Sequence, residues 1–248
     1  MIEVRNLVFK YNTHIILDDL SFDLKENETT VVMGSSGVGK STLLRCVLGL
    51  EKPQSGSILV DGADITQMGE EELNLIRRDF GMLFQSAALF NSLTVGENVA
   101  FPMRRHRDFD EATIRAKVIE KLELVELDGC ENMMPAELSG GMKKRAGLAR
   151  ALALEPRCLF FDEPIAGLDP IMASDIEKLI LKLKEVSGMI MLIVTHELLH
   201  GFNVADKVIM LHKGKMVAMG SPAEIMRSED EYVQKFMREL PGLRAHPG

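Results

Sequence analysis

Apolar residues along this chain switch between the two-residue period of strands and the wider period of helices, and the switches place most of its elements. Residues 1–33 alternate in short runs broken at Asn12-Thr13 and Glu26-Asn27, which predicts strands joined by turns; Ser57–Val60, ahead of Asp61-Gly62, predicts another strand and turn. Together these suggest an antiparallel patch. Residues 70–78 predict a short charged helix, and F-G-M-L-F-Q a strand ending at Gln85. Ile114, Val118, Leu122 and Val125 recur at helical spacing behind Asp110, a capping residue, so an amphipathic helix is expected from Asp110 to about Val125. R-C-L-F-F-D-E-P (157–164) predicts a strand, and Ile176, Leu179, Ile180 and Leu183 form the stripe of a helix from about Ile171 to Val186 that Asp169-Pro170 starts. M-I-M-L-I-V (189–194) predicts a strand, 207–220 a hairpin turning at Lys213-Gly214, and 222–240 short helices.

Between these lies a segment without a clean period. Residues 86–103 carry Leu89, Phe90, Leu93, Val95, Val99, Phe101 and Met103, and the spacing predicts a loop-rich stretch, part core and part docking surface. The R-R-H-R run at 104–107 is expected to be a solvated loop. Residues from about 86 to 155 read as a helical lobe inserted in an α/β core.

The chemistry concentrates at V-V-M-G-S-S-G-V-G-K-S-T, residues 31–42, where an apolar strand breaks into a glycine-rich turn and a helical pattern follows through Leu43, Leu44, Val47 and Leu48. Gly34, Gly37 and Gly39 let the backbone turn its N–H groups onto one anion, and the positive end of the helix starting near Lys40 adds to them. Lys40 reaches terminal phosphates as a point charge, and the Ser41 hydroxyl sits where it can ligate magnesium. This stretch satisfies the whole nucleotide-loop pattern in its required strand-turn-helix setting, and Gly34, Ser35, Ser36, Gly37, Val38, Gly39, Lys40, Ser41 and Thr42 are its candidate nucleotide-binding residues. A ligand-free glycine turn is the competing reading.

Composition narrows the rest. A chain of 248 residues, 46% hydrophobic, has material for one large domain or two lobes. A net charge of -8 argues against a protein that wraps nucleic acid. Cys46, Cys130 and Cys158 lack a C-x-x-C spacing, so each is expected to be a small core residue in a reducing compartment rather than part of a disulfide framework. The start has no secretion pattern, and the longest apolar membrane candidate, 189–194, is too short to cross hydrocarbon about 30 Å thick. Any membrane role therefore calls for a partner.

Four further places carry candidate chemistry. Ser139-Gly140-Gly141 precede a run of helix formers and make a second anion-ready helix start. Asp162 and Glu163 end an apolar strand, where α/β proteins bind ligands, with a structural salt bridge as the alternative. Tyr11, one of two tyrosines, either packs in the core or stacks on an adenine. His196-Glu197-Leu198-Leu199-His200 matches the zinc pattern H-E-x-x-H. His196, however, comes directly off a strand while His200 lies on the following turn, which disfavours zinc chemistry.

The loop at 34–42, Gln85, L-S-G-G at 138–141, Asp162-Glu163, L-D at 168–169 and His196 occur in an order that resembles the ABC-type ATPases. The resemblance implies an α/β fold: a P-loop NTPase (RecA-like) core with an antiparallel β subdomain and an inserted helical subdomain. It implies one ATPase domain over 1–240, with 1–85 and 157–220 as core and β subdomain, 86–156 as helical subdomain and 221–248 as a C-terminal helical tail. ATP and magnesium are the implied cofactors. Tyr11 would stack on adenine and Lys40 grip the phosphates; Ser41, Gln85 and Asp162 would hold magnesium, directly or through water. Glu163 would activate the attacking water and His196 contact the γ-phosphate. Two copies would pair head to tail, Ser139–Gly141 of one closing over the nucleotide of the other, with Asp169 at the seam.

Within that superfamily, L-F-Q-S-A-A-L-F (83–90), T-V-G-E-N-V-A-F-P (94–102), L-S-G-G-M-K-K-R (138–145, with Met142) and D-E-P-I-A-G-L-D-P (162–170) resemble the ATPase of Mla-type, MCE-associated phospholipid transporters. That implies a homodimer on the cytoplasmic face of the inner membrane, held there by an integral membrane permease and accompanied by an MCE-type lipid-binding subunit. The alternatives are an ABC importer ATPase for an amino acid or metal, and a soluble ABC-type ATP switch.

Overall fold

The alternating run at the start of the chain forms β1 (Ile2–Tyr11) and β2 (His14–Leu24), antiparallel across the expected turn, with Tyr11 opposite His14. Asn12 takes a left-handed φ of 53°, a conformation that asparagine tolerates better than most side chains. In the computed structural model, which describes residues 1–106 and 109–238, the next elements are β3 (Thr29–Met33), α1 (Lys40–Val47), β4 (Ser55–Val60), β5 (Ala63–Asp64) and α2 (Glu70–Ile76). One antiparallel sheet, in the order β2-β1-β4-β5, is the expected patch. All five residues of β3 are buried, as a strand covered on both faces should be.

The chain divides into two compact units, Met1–Leu73 with the described residues from Ile190 onward, and Asn74–Met189. The second unit contains β6 (Phe80–Leu83), α3 (Val95–His106), α4 (Glu111–Leu124), α5 (Gly140–Ala151), β7 (Cys158–Asp162) and α6 (Pro170–Ser187). β6 and β7 pair in parallel, and the Phe80 and Phe160 rings meet edge to face at 5.1 Å. Asp110 caps α4 as expected, its side chain accepting the Thr113 N–H at 2.8 Å, and Ile114, Val118, Leu122 and Val125 are buried. Asp169 caps α6 by accepting the N–H groups of Ile171 and Met172, both at 3.0 Å.

Here three expectations are corrected. β6 ends at Leu83, so Phe84 and Gln85 lie beyond the strand, the first before a turn and the second in it. The 86–103 stretch is loop only as far as Thr94; α3 follows and runs through Pro102, because Val95, Val99 and Met103 recur at helical spacing and are buried. Arg104, Arg105 and His106 form the last turn of that helix rather than a loop; Arg104 makes a two-pronged contact with Glu111, at 2.9 and 2.8 Å. Arg107 lies outside the described residues.

The first unit resumes with β8 (Ile190–Thr195), α7 (Leu198–Val204), β9 (Lys207–His212), β10 (Lys215–Gly220), α8 (Pro222–Met226) and α9 (Glu231–Met237). Within it β3 lies between β9 and β8, parallel to both, and β10 closes the edge antiparallel to β9. The expected tail beyond residue 238 falls outside the described residues. Among the described residues no helix is long and apolar enough to cross a membrane.

Cys46 is 1% exposed on the inner face of α1, and burial first, then the charge of Glu51, pushes its thiol up to about 12. A thiol raised above its unfolded value of 9.0 contributes stability that is complete below pH 9 and lost as pH climbs toward 12. Chemical denaturation between pH 8 and 10.5 should therefore show a shallower decline in Cys46→Ala than in the parent chain. Equal slopes would contradict this.

Candidate functional site

Strand register brings together the candidates of the first unit. Met33 pairs with Thr195 on one side and Met210 on the other, so the loop after β3 and His196 after β8 leave the sheet together at its carboxyl edge. The loop is shaped by close approach. A Cβ at Gly34 (φ +154°) would lie 2.5 Å from the Leu211 carbonyl oxygen, and one at Gly39 (φ +111°) 2.8 Å from Leu17 of β2. The antiparallel patch thus buttresses the loop directly. Gly34→Ala should destabilise the fold by about 1–3 kcal/mol, the usual cost of overpacking, and lower nucleotide affinity with it. Denaturant midpoints and nucleotide titration check both, and an unchanged midpoint would contradict the strain argument.

Gly39 is the N-cap of α1, and Lys40, its first residue, is only 6% exposed. The Lys40 ammonium curls back over the loop and donates to the carbonyls of Gly34 and Ser35 at 2.9 and 3.3 Å. Ser35, Ser36 and Gly37 stay exposed, while Val38 and Thr42 are buried and Ser41 is half-buried. An exposed turn of amides around a fixed cation suits a polyphosphate. Tyr11 is 42% exposed, its ring edge-on to Phe9 at 4.8 Å and its hydroxyl 3.3 Å from Glu51, so a face is available for stacking.

His196 precedes α7, whose first residue is Leu198, so the two histidines of H-E-x-x-H do not share a helix face. Among the described residues no group of three or more His, Cys, Asp or Glu side chains is placed to hold a metal ion.

A contact not anticipated from the sequence joins the C-terminal part to this loop. The Ser35 N–H donates to the Tyr232 hydroxyl at 3.3 Å, and the Tyr232 ring stacks on His212 at 3.8 Å. With Ser36, His196, Lys235 and Phe236 these residues line a cleft of about 550 Å³ beside the loop.

The second unit brings together the other candidates. Ser139 caps α5 and accepts the Met142 N–H at 3.3 Å; Gly140 and Gly141 have no side chain because Leu168 and Met172 stand within 3.3 Å of where a Cβ would be. Gly140-Gly141 and the segment from Leu168 to Met172 are therefore packed on one another, and Ser139, Gly140 and Asp169 are exposed. Asp162 ends β7, and Glu163 follows, 8% exposed, with a left-handed φ of 48°.

Lys144 escaped the sequence reading. It is 5% exposed, and its ammonium donates to the Gln85 carbonyl at 2.5 Å and the Glu163 carbonyl at 3.1 Å. Burial lowers its pKa, while the charges of Asp162 and Glu163 act to raise it. The available signal was its place on the stripe Gly141, Lys144, Leu148, all buried.

Asn98 was missed as well. Fully buried, its side chain accepts the Phe90 N–H at 2.8 Å and donates to the carbonyls of Phe90, Leu93 and Thr94, tying the loop before α3 into one shape. Arg150 holds the carbonyls of Ala88 and Ala87 at 2.6 and 2.8 Å. The result is an apolar groove of about 340 Å³ in which Phe84, Phe90 and Phe101 remain exposed.

Comparison with known proteins adds to this geometry. Residues 17–166 match the family model described as ABC transporter. The chain is 42% identical over 238 residues, 96% of its length and 90% of the relative's, to the intermembrane phospholipid transport system ATP-binding protein MlaF of Haemophilus influenzae. It is also 42% identical over 246 residues, 99% of its length and 70% of the relative's, to the probable ribonucleotide transport ATP-binding protein mkl of Mycobacterium leprae. A solved dimeric structure of the ATP-binding cassette MJ0796 in a post-hydrolysis state, bound to ADP and Pi, superposes with a TM-score of 0.83 at 31% identity, covering 90% of this chain and 99% of that one.

Proposed function

The chain belongs to the ABC transporter family and is an ATPase, and on that premise we propose that it powers phospholipid movement through a separate membrane permease. The observation that carries the cargo is the 42% identity to a phospholipid-transport ATP-binding protein across 96% of this chain. Two copies close on two ATP molecules, as the dimeric cassette with ADP and Pi supports.

Each site residue then has a role. Lys40 and the amides of 34–42 hold the phosphates, Tyr11 stacks on the adenine, and His196 contacts the γ-phosphate. Glu163 takes the proton of the attacking water. Ser139–Gly141 of one copy, beside Asp169, close over the nucleotide of the other. Magnesium fits the donors, since Ser41, Gln85 and Asp162 all offer the hard oxygen atoms that ion takes. Bound there, magnesium neutralises phosphate charge. The exposed Phe84, Phe90 and Phe101 groove receives an apolar permease helix directly after Gln85, and the helical subdomain of 86–156 carries that contact. The permease holds the chain at the cytoplasmic face of the inner membrane, and an MCE-type lipid-binding subunit completes the complex.

A second reading, a ribonucleotide cargo, is favoured by the equal identity to the mkl relative, of which the chain spans 70% against 90% for MlaF. An importer of amino acids or metals is opposed by residues 83–102 and 138–145 alone. Isolating the native complex in detergent and identifying its subunits and bound small molecules decides the cargo. Phospholipid with an MCE-type subunit is expected; a binding protein for a ribonucleotide, amino acid or metal, with no lipid, would overturn the assignment and leave the ATPase intact.

A further inference from the structure

We infer that Lys144 is a positioning residue for ATP hydrolysis: its ammonium ties the backbone of Glu163 to the backbone of Gln85, so the acid and the docking segment move as one. The inference rests on the reading of Glu163 as the base. A lysine buried to 5% exposure is expensive unless its donors are satisfied, and here two acceptors come from loops far apart in sequence, after β6 and after β7. Both loops hold non-glycine residues in the left-handed region. Glu163 has a φ of +48°, a conformation that non-glycine residues occupy uncommonly. The turn after Gln85 contains Ala87 and Ala88, also left-handed, at φ 59° and 48°.

A charge-assisted hydrogen bond to each carbonyl supplies the restraint, and Arg150, further along α5, does the same for Ala87 and Ala88. Gly147, between the two cations, lets α5 approach: a Cβ there would lie 3.0 Å from Leu83 and 3.1 Å from Ala87. The helix that begins at Gly140 is thus a ruler. Its Lys144 sets where the Glu163 backbone stands relative to the segment that follows Gln85, and a push on that segment reaches the acid through one ammonium.

The test is steady-state ATP hydrolysis by the full chain with Lys144→Met, which keeps an unbranched apolar stem of similar length and removes the donors. A lowering of kcat by about ten- to hundredfold is expected, with KM for ATP within about twofold, because misplacing a catalytic group costs rate rather than binding. The distinguishing readout is the double variant with Glu163→Gln, measured in single turnover with enzyme in excess. If Lys144 acts through Glu163, the double variant is no slower than Glu163→Gln alone. A wild-type kcat in Lys144→Met, or two deficits that multiply, would overturn the inference. Should Lys144→Met not show a cooperative melting transition, Lys144→Leu, which also removes the donors, carries the same cycle with the same criteria. Wild-type turnover by Glu163→Gln alone would be a separate failure, of the base assignment itself, and would take this inference with it.

Discussion

Glu163→Gln is expected to bind ATP as the parent chain does and to turn over about 10²–10⁴ more slowly, the contribution typical of a positioned general base. Glutamine matches glutamate in shape, so the substitution leaves no cavity at this buried position. The backbone tie from Lys144 is to the Glu163 carbonyl, which the substitution does not touch. On the proposed role of Glu163 as base, what is lost is the ability to accept a proton from the attacking water. Phosphate release measured beside the affinity for a fluorescent ATP analogue separates the two effects. Wild-type turnover would remove Glu163 from the role of base, and a parallel loss of affinity would place it in binding instead.

Lys40→Ala should have the opposite signature, a fall in ATP affinity of about ten- to hundredfold, consistent with losing one or more hydrogen bonds to a charged group. Lys40 also spans the loop from inside, through the carbonyls of Gly34 and Ser35. Its removal therefore loosens the amide turn as well as deleting the cation. Isothermal titration with ATP and magnesium gives the affinity directly, and an unchanged dissociation constant would show that phosphates are held elsewhere.

How far the sequence foretold this structure depends on what kind of signal each element carries. Residues 31–48 announce themselves, because the phosphate loop needs glycine where a Cβ would strike Leu211 or Leu17, and the flanking strand and helix have distinct periods. Asp110 was legible as a cap and Asp169-Pro170 as a helix start because both act on backbone within three residues. α3 was not legible. Pro102 sits inside it, and its outward Phe101 is as apolar as its buried Val99, so the pattern has no clear face. Lys144 and Tyr232 were missed for a common reason. Each acts on the carbonyl or amide of a residue whose placement depends on tertiary folding: Lys144 on Gln85, 59 positions away, and Tyr232 on Ser35, 197 away. Even Asn98, which works locally, hides in the unpatterned stretch. Side chains that organise loops leave no period, and within a run such as Met142-Lys143-Lys144-Arg145 nothing local says which cation is buried.

The central claim, that two copies of this chain close around ATP to hydrolyse it, meets its most direct test in light scattering of purified Glu163→Gln. With saturating ATP and magnesium the mass should roughly double from 27.6 kDa, and it should return to that value when nucleotide is removed. The dimer should carry one ATP per chain. A variant that binds ATP fully and stays at the monomer mass would contradict the account.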